Sequence, residues 1–258
     1  MRLFDTHCHL NDEAYQGDLP AVLTRAREAG VVRMLVVGYD LPSSERALRL
    51  AETEAEIYAA VGIHPHEAVS VTPAVLRRLE ELLTHPKAVA LGEIGLDYYY
   101  DHSPRLQQQE VFRQQLALAK QTGKPVVIHV REAHAPLLAV LKAEGGLYRG
   151  VLHCFSGSKE MAREYLDLNL HLAVGGPVTF KNARKLPEVI KAIPPDRLLL
   201  ETDAPYLTPH PWRGKRNEPA YLTAVANRVG AVLGLEPAEV AALTWKNGAA
   251  CFGLPPDP

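Results

Sequence analysis

Eight short apolar runs recur along the chain at nearly even intervals, and this recurrence most narrows what the chain can fold into. The runs are RLFDTH (2–7), VVRMLVVG (31–38), IYAAVGIH (57–64), AVALGEIG (88–95), PVVIHV (125–130), GVLHCFSG (150–157), LHLAVGG (170–176) and RLLLETDAP (197–205). They are brief and almost continuously apolar, as strands buried on both faces of a parallel sheet must be. Their C-terminal ends fall near residues 9, 38, 64, 93, 129, 153, 175 and 203. Successive ends are therefore separated by about one strand-plus-helix unit. Eight such units with right-handed crossovers close into a (β/α)8 TIM barrel, and 258 residues match the roughly 250 that one such barrel takes. The expectation is an α/β chain forming one barrel domain over residues 1–258. A doubly wound open sheet is the alternative, weakened because no glycine-rich phosphate fingerprint follows the first run.

The segments between the runs carry helix signals. LPAVLTRAREAG (19–30) has proline near its start and glycine at its end, and TPAVLRRLEELL opens on threonine then proline. LPSSERALRLAETEA offers a serine as its cap, and the long RLQQQEVFRQQLALAKQTG closes on glycine.

Charge excludes one simple class of function. Lys and Arg total 28 against 30 Asp and Glu, a net charge of −2. A general nucleic-acid binder would show a basic excess, so any phosphate binding must come from a local patch or from bound cations. Three cysteines, Cys8, Cys154 and Cys251, make no disulfide framework. No apolar leader precedes the first run and no run is long enough to span a bilayer. A cytoplasmic protein is the expectation, with no membrane and no obligate protein partner.

The polar residues at the ends of the runs carry the chemistry. Asp5, His7 and His9 alternate in FDTHCHL, so in a regular strand they share one face while Cys8 points into the layer between barrel and helices. His64 ends the third run, Glu93 the fourth, His129 the fifth, His153 the sixth and Asp203 the eighth. Active sites of these barrels are built at the strand C-terminal ends. Seven metal-capable side chains from six strands would then converge, where unpaired imidazoles and carboxylates would be costly. Divalent metal gives them partners. The plain alternative is a set of scattered, partly buried histidines, which is the reading for His85, His102, His134, His171 and His210.

FDTHCHL, GIHPH, GEIGLDYY, HCFSG, ETDAPYLTP and RGKRNEP, in this order from residue 4 to 219, make a set that resembles the TatD family of metal-dependent deoxyribonucleases, part of the amidohydrolase-like hydrolases. The resemblance implies two divalent ions per chain, with zinc, manganese, magnesium and nickel all open as their identity. It implies that His7, His9 and Asp203 hold one ion, that His129 and His153 hold the other, and that Glu93 bridges both. His64 would sit near the substrate phosphate, and Glu201 would be a neighbouring orienting or catalytic carboxylate. One departure is Val130, where such proteins usually have serine after the fifth-strand histidine.

The residue types suit a water attacking a phosphodiester between two cations about 3.5–4 Å apart. Asp203 is the candidate general base, and His64 either hydrogen-bonds the phosphate or protonates the leaving oxygen. The loop after the eighth run offers Arg213, Lys215 and Arg216 as a phosphate clamp and Trp212 as a stacking surface for a base, with Phe155 and Tyr206 as packing residues. The function expected is a 3′–5′ exonuclease on DNA, taking a single-stranded end as substrate; the 3′ direction comes from the resemblance. The alternatives are a metal-dependent ester or amide hydrolase, such as a D-aminoacyl-tRNA deacylase or a small-molecule amidohydrolase, and a non-catalytic metal-binding protein.

Overall fold

The structure is a computed structural model that describes residues 1–256. Eight parallel strands form one sheet in strictly sequential order: β1 Leu3–Cys8, β2 Val31–Val37, β3 Ile57–Val61, β4 Ala88–Asp97, β5 Val126–Arg131, β6 Gly150–Leu152, β7 His171–Val174 and β8 Leu198–Leu200. Helices cover the connections: α1 Leu19–Glu28, α2 Leu41–Thr53, α3 Pro73–Leu83, α4 Arg105–Thr122, α5 His134–Ala143, α6 Lys159–Asp167, α7 Leu186–Ile190, α8 Leu222–Leu233 and α9 Pro237–Phe252. This is the (β/α)8 arrangement that the spacing of the runs predicts. No helix among the described residues is long and apolar enough to cross a membrane.

Local chemistry sets the helix starts. Thr72 accepts from the Val75 amide with Pro73 in the first turn, as its sequence suggests. At α2 the cap is Asp40 rather than a serine: its carboxylate accepts from the Ser43 amide while Ser43 Oγ accepts from the Asp40 amide. The serine of the sequence motif is thus the return half of a capping box.

Two apolar layers follow from strand alternation. Phe4, Leu35, Ala60, Ala90, Val127, Val151, Ala173 and Leu199 form one buried cluster. With one member from each strand, it can only be the barrel interior. The larger cluster takes the alternate strand residues, Cys8 among them, together with the inner faces of the helices. Cys8 is fully buried and its thiol points to the Leu35 carbonyl.

The barrel closes between its first and last strands in an uneven way. The Asp203 amide donates to the His7 carbonyl at 2.9 Å and the His9 amide to the Ala204 carbonyl at 2.7 Å. Below them Thr6 Oγ1 donates to the Leu200 carbonyl at 2.9 Å. The backbone seam therefore lies at the C-terminal mouth.

Candidate metal centre

The interior residues give way at the mouth to imidazoles and carboxylates. His7 and His9 bring their Nε2 atoms to 3.1 Å from each other. Glu93 Oε2 stands 3.5 Å from the first and 3.7 Å from the second. Asp203 Oδ1 stands 3.7 and 3.5 Å from the same two nitrogens. A tetrahedral site with bonds of ~2.0–2.1 Å has edges of about 3.3–3.4 Å, so His7, His9 and Glu93 are spaced to hold one cation, with Asp203 at similar distances from both nitrogens.

The other oxygen of Glu93 faces a second set. Oε1 lies 3.0 Å from His129 Nδ1 and 2.9 Å from His153 Nε2, and those nitrogens are 3.2 Å apart. His64 Nε2 is farther off, 3.7 Å from Oε1. The structure thus brings together all six sequence-predicted ligands, His7, His9, Glu93, His129, His153 and Asp203, around one carboxylate between two histidine groups. The inner nitrogens of these rings converge on only two carboxylates, Glu93 and Asp203, and a divalent cation is the partner that this mixed nitrogen and oxygen donor set fits.

The far side of each ring fixes which nitrogen is free. His9 Nδ1 lies 2.9 Å from the Val37 carbonyl, so it carries the proton and leaves Nε2 its lone pair. His129 does the converse: Nε2 donates to Asp97 Oδ2 at 3.0 Å and Nδ1 is left open. His64 is different again. Its Nδ1 accepts from the His66 amide at 3.2 Å, so the proton sits on Nε2 and points toward the centre.

Electrostatics within the group are strongly coupled. Burial alone would raise the Glu93 carboxyl, but His153, His64 and His7 hold it well below the usual carboxylate range. Burial also opposes the charge on Asp203, yet His9, His7 and His153 keep its pKa low. Burial would depress His153 and His129, but for His153 Glu93 and Glu201, and for His129 Asp97 and Glu93, outweigh it and raise both. His64 is pushed well below the ordinary histidine value, by burial first and by His129 second.

Three carboxylates and an amide support the ligands from behind. Asp97 is the most connected of them. Its Oδ2 takes His129 and lies 3.1 Å from His66 Nε2, while its Oδ1 accepts the amides of Tyr99 and Tyr100. Glu201 is fully buried; Oε1 accepts the Cys154 amide at 2.7 Å and lies 3.5 Å from His153 Nδ1. Asp5 does not join His7 and His9 as strict alternation predicts. The pairing of β1 with β2 shifts register between Asp5 and Cys8. The Asp5 carboxylate accepts instead from the Thr202 amide and hydroxyl, and burial pushes its pKa up to about 8. Asn217 pins the loop after β8, donating to the carbonyls of Thr202 and Tyr206. Asp97 and Asn217 are supports that the sequence reading missed. Alternation along β4 was the available signal for Asp97, because residues 93, 95 and 97 share a face in a strand that runs past its apolar stretch.

The basic loop is arranged differently from a row of free cations. Arg216 is partly exposed and paired, its guanidinium bidentate on Asp18 at 2.7 and 2.8 Å and its Nη1 also on the Ala14 carbonyl. Arg216, expected as part of a phosphate clamp, is thus already paired with a carboxylate. Arg213 and Lys215 are exposed, with the Arg213 guanidinium over the Phe180 ring. Trp212 is stacked on Tyr221, with ring centroids 4.4 Å apart and planes 5° from parallel. Phe155 is buried, whereas Tyr206, expected to pack, is half exposed with its ring 6.1 Å from that of His9. Val130 packs against the apolar layer between strands and helices.

Comparison with known proteins adds an independent line. A family model described as TatD related DNase matches residues 4–253. The chain is 49% identical over 253 residues to the uncharacterised metal-dependent hydrolase YabD of Bacillus subtilis, covering 98% of this chain and 99% of that one. It is 40% identical over 258 residues to the 3′-5′ ssDNA/RNA exonuclease TatD of Klebsiella pneumoniae, covering 98% of each. The crystal structure of YJJV, a TatD homologue from Escherichia coli K12, superposes with a TM-score of 0.91 at 35% identity, covering 98% of this chain and 99% of that one.

Proposed function

Because this chain belongs to the family of TatD related DNases and is a metal-dependent hydrolase of that family, we propose that it removes nucleotides from the 3′ end of single-stranded DNA. The observation that carries the reading is Glu93, whose two oxygens each face a separate set of histidine nitrogens. We assign two divalent ions to the centre: one held by His7, His9 and Asp203, one by His129 and His153, with Glu93 between them. Bound there, such ions supply Lewis acidity toward an attacking water and a phosphoryl oxygen.

The protein groups then have separable tasks. Asp203 has the most exposed carboxylate of the centre, 13% against 5% for Glu93. It is held ionised, so it is placed to accept the proton of the attacking water. His64 is kept neutral by burial and carries its proton on Nε2. It therefore donates a hydrogen bond to a phosphate oxygen rather than delivering a proton to the leaving group. Glu201 lies sealed behind His153 and acts as a positioning residue. Arg213 and Lys215 draw the strand to the mouth, and the exposed part of Trp212 offers a face to a base.

The test is a turnover panel with metal-stripped and metal-restored protein. Single-stranded DNA labelled at either end, duplex DNA, RNA and aminoacyl-tRNA are compared side by side. Metal-dependent shortening of single-stranded DNA from the 3′ end, lost in Asp203→Asn, is the expected result. Deacylation of aminoacyl-tRNA without cleavage of any oligonucleotide would replace this reading with an ester hydrolase.

A further inference from the structure

Seven large hydrophobic residues are exposed among the described residues, and four of them lie in the connections that follow β3 and β4: Val69 at 57%, Tyr99 at 59%, Tyr100 at 51% and, in the first turn of α4, Leu106 at 81%. Exposed apolar surface gathered beside a site, rather than scattered, marks a binding surface. The two tyrosines are held in place. Their amides are fixed by Asp97 Oδ1, the carboxylate whose other oxygen orients His129. The Arg131 guanidinium lies 4.1 Å from the Tyr99 ring centre and 4.7 Å from that of Tyr100. Arg131 is exposed, two residues beyond His129 on β5, and makes no ion pair among the described residues.

A chain of rings connects this surface to the centre. Tyr100 lies 5.5 Å from His66, His66 lies 4.3 Å from His64, and His64 lies 4.5 Å from His129, centroid to centroid. His102 stacks on Tyr100 with planes 6° apart. The surface is therefore aromatic, carries the Arg131 guanidinium against its rings and lies close to the sequence-predicted ligands. Those are the properties of a platform for unpaired bases: half-exposed π rings with a cation over one face, tolerant of sequence.

We propose that Tyr99 and Tyr100, backed by Arg131, form a stacking platform that holds an unpaired nucleobase of the substrate strand beside the metal centre. It lies on the side of β4 and β5, whereas Arg213 and Lys215 follow β8. A bound strand then crosses the mouth between two sets of contacts, with the metal ligands beneath it. This inference rests on the nuclease reading above and adds the surface that recognises bases in single-stranded form.

A double-mutant cycle between ring and base tests it. Asp203→Asn protein, in which cleavage should be slowed, is loaded with metal, its metal content measured, and titrated with fluorescent single strands carrying one abasic site at successive positions from the 3′ end. With the tyrosines intact, one position should lose about tenfold in affinity when its base is removed. In the Tyr99→Ala/Tyr100→Ala background that penalty should vanish, and Tyr99→Phe/Tyr100→Phe should restore it. Circular dichroism and metal content of each variant establish that fold and centre are intact. An equal abasic penalty in both backgrounds, or none at any position, overturns the platform. If the wild-type protein cleaves the intact strand while the cycle shows no coupling, the platform alone falls. If the wild type neither binds nor cleaves it, the nuclease reading falls and the platform with it.

Discussion

At the scale of single residues, the centre is governed by what lies behind each ring. A histidine that gives its far proton to a fixed acceptor presents a defined lone pair, and Asp97 does this for His129. Asp97→Asn should therefore weaken metal binding by about 10–100-fold with the fold retained, which a metal-indicator titration reads directly. Proton release is a second expectation. His153 and His129 have raised pKa values without metal, because neighbouring carboxylates outweigh the burial that would lower them. They keep their protons to pH values above the ordinary 6.5, so a metal must displace them. Affinity should rise with pH through the neutral range and fall as pH drops. Calorimetric titrations at pH 7 in two buffers of different ionisation enthalpy should give different heats; equal heats would contradict this. The six residues we assign to the metals could be singled out because each lies at or near the end of a recognisable apolar run. Asp97 was not, because it stands two residues beyond the end of its run, where glycine and tyrosine suggest a turn.

At the scale of elements, strand β4 does the most demanding work, since it carries Glu93 and Asp97 and must lie close against β5. Gly95 has φ +147, and a Cβ there would come 2.0 Å from the His129 carbonyl oxygen. Gly95→Ala must push the two strands apart at a metal ligand. The expected cost is about 1–3 kcal/mol or more, with weakened metal binding, checked by urea denaturation and metal titration of the same variant. The loop after β8 shows what sequence patterns miss. Arg213, Lys215 and Arg216 look equivalent in RGKRNEP, but Arg216 finds Asp18, 198 residues away. That partner depends on how α1 and the last loop meet, which no local pattern records. Arg213→Ala and Lys215→Ala should each lower the salt dependence of single-strand binding by about one unit of slope. Arg216→Ala should leave the slope unchanged and lower the melting temperature. A changed slope for Arg216→Ala would show that the ion pair opens to meet phosphate.

At the scale of the whole molecule, periodic runs announced the closed barrel, but the form of its seam was not readable from them, because that depends on how β1 meets β8 across almost the full length of the chain. That seam is joined by backbone hydrogen bonds at the mouth, from Asp203 to His7 and from His9 to Ala204, among the residues assigned to one metal. Metal occupancy should therefore reinforce the seam. Metal at one hundred times its dissociation constant should stabilise the fold by about 2.7 kcal/mol. The amides of His9 and Asp203 should exchange faster in chelator while those at the middle of β5 change little, as hydrogen exchange with residue resolution would show. Uniform loss of protection around the barrel would mean that the seam is not a separate unit. The order of synthesis gives this seam one more meaning. His7 and His9 are made first, and Asp203 arrives nearly two hundred residues later, so during translation the earliest strand stays an open edge with two imidazoles and no carboxylate from the last strand. A chain stalled before β8 presents that edge to any neighbour and to any stray metal, and release of the last strand from the ribosome both seals the barrel and arms the enzyme.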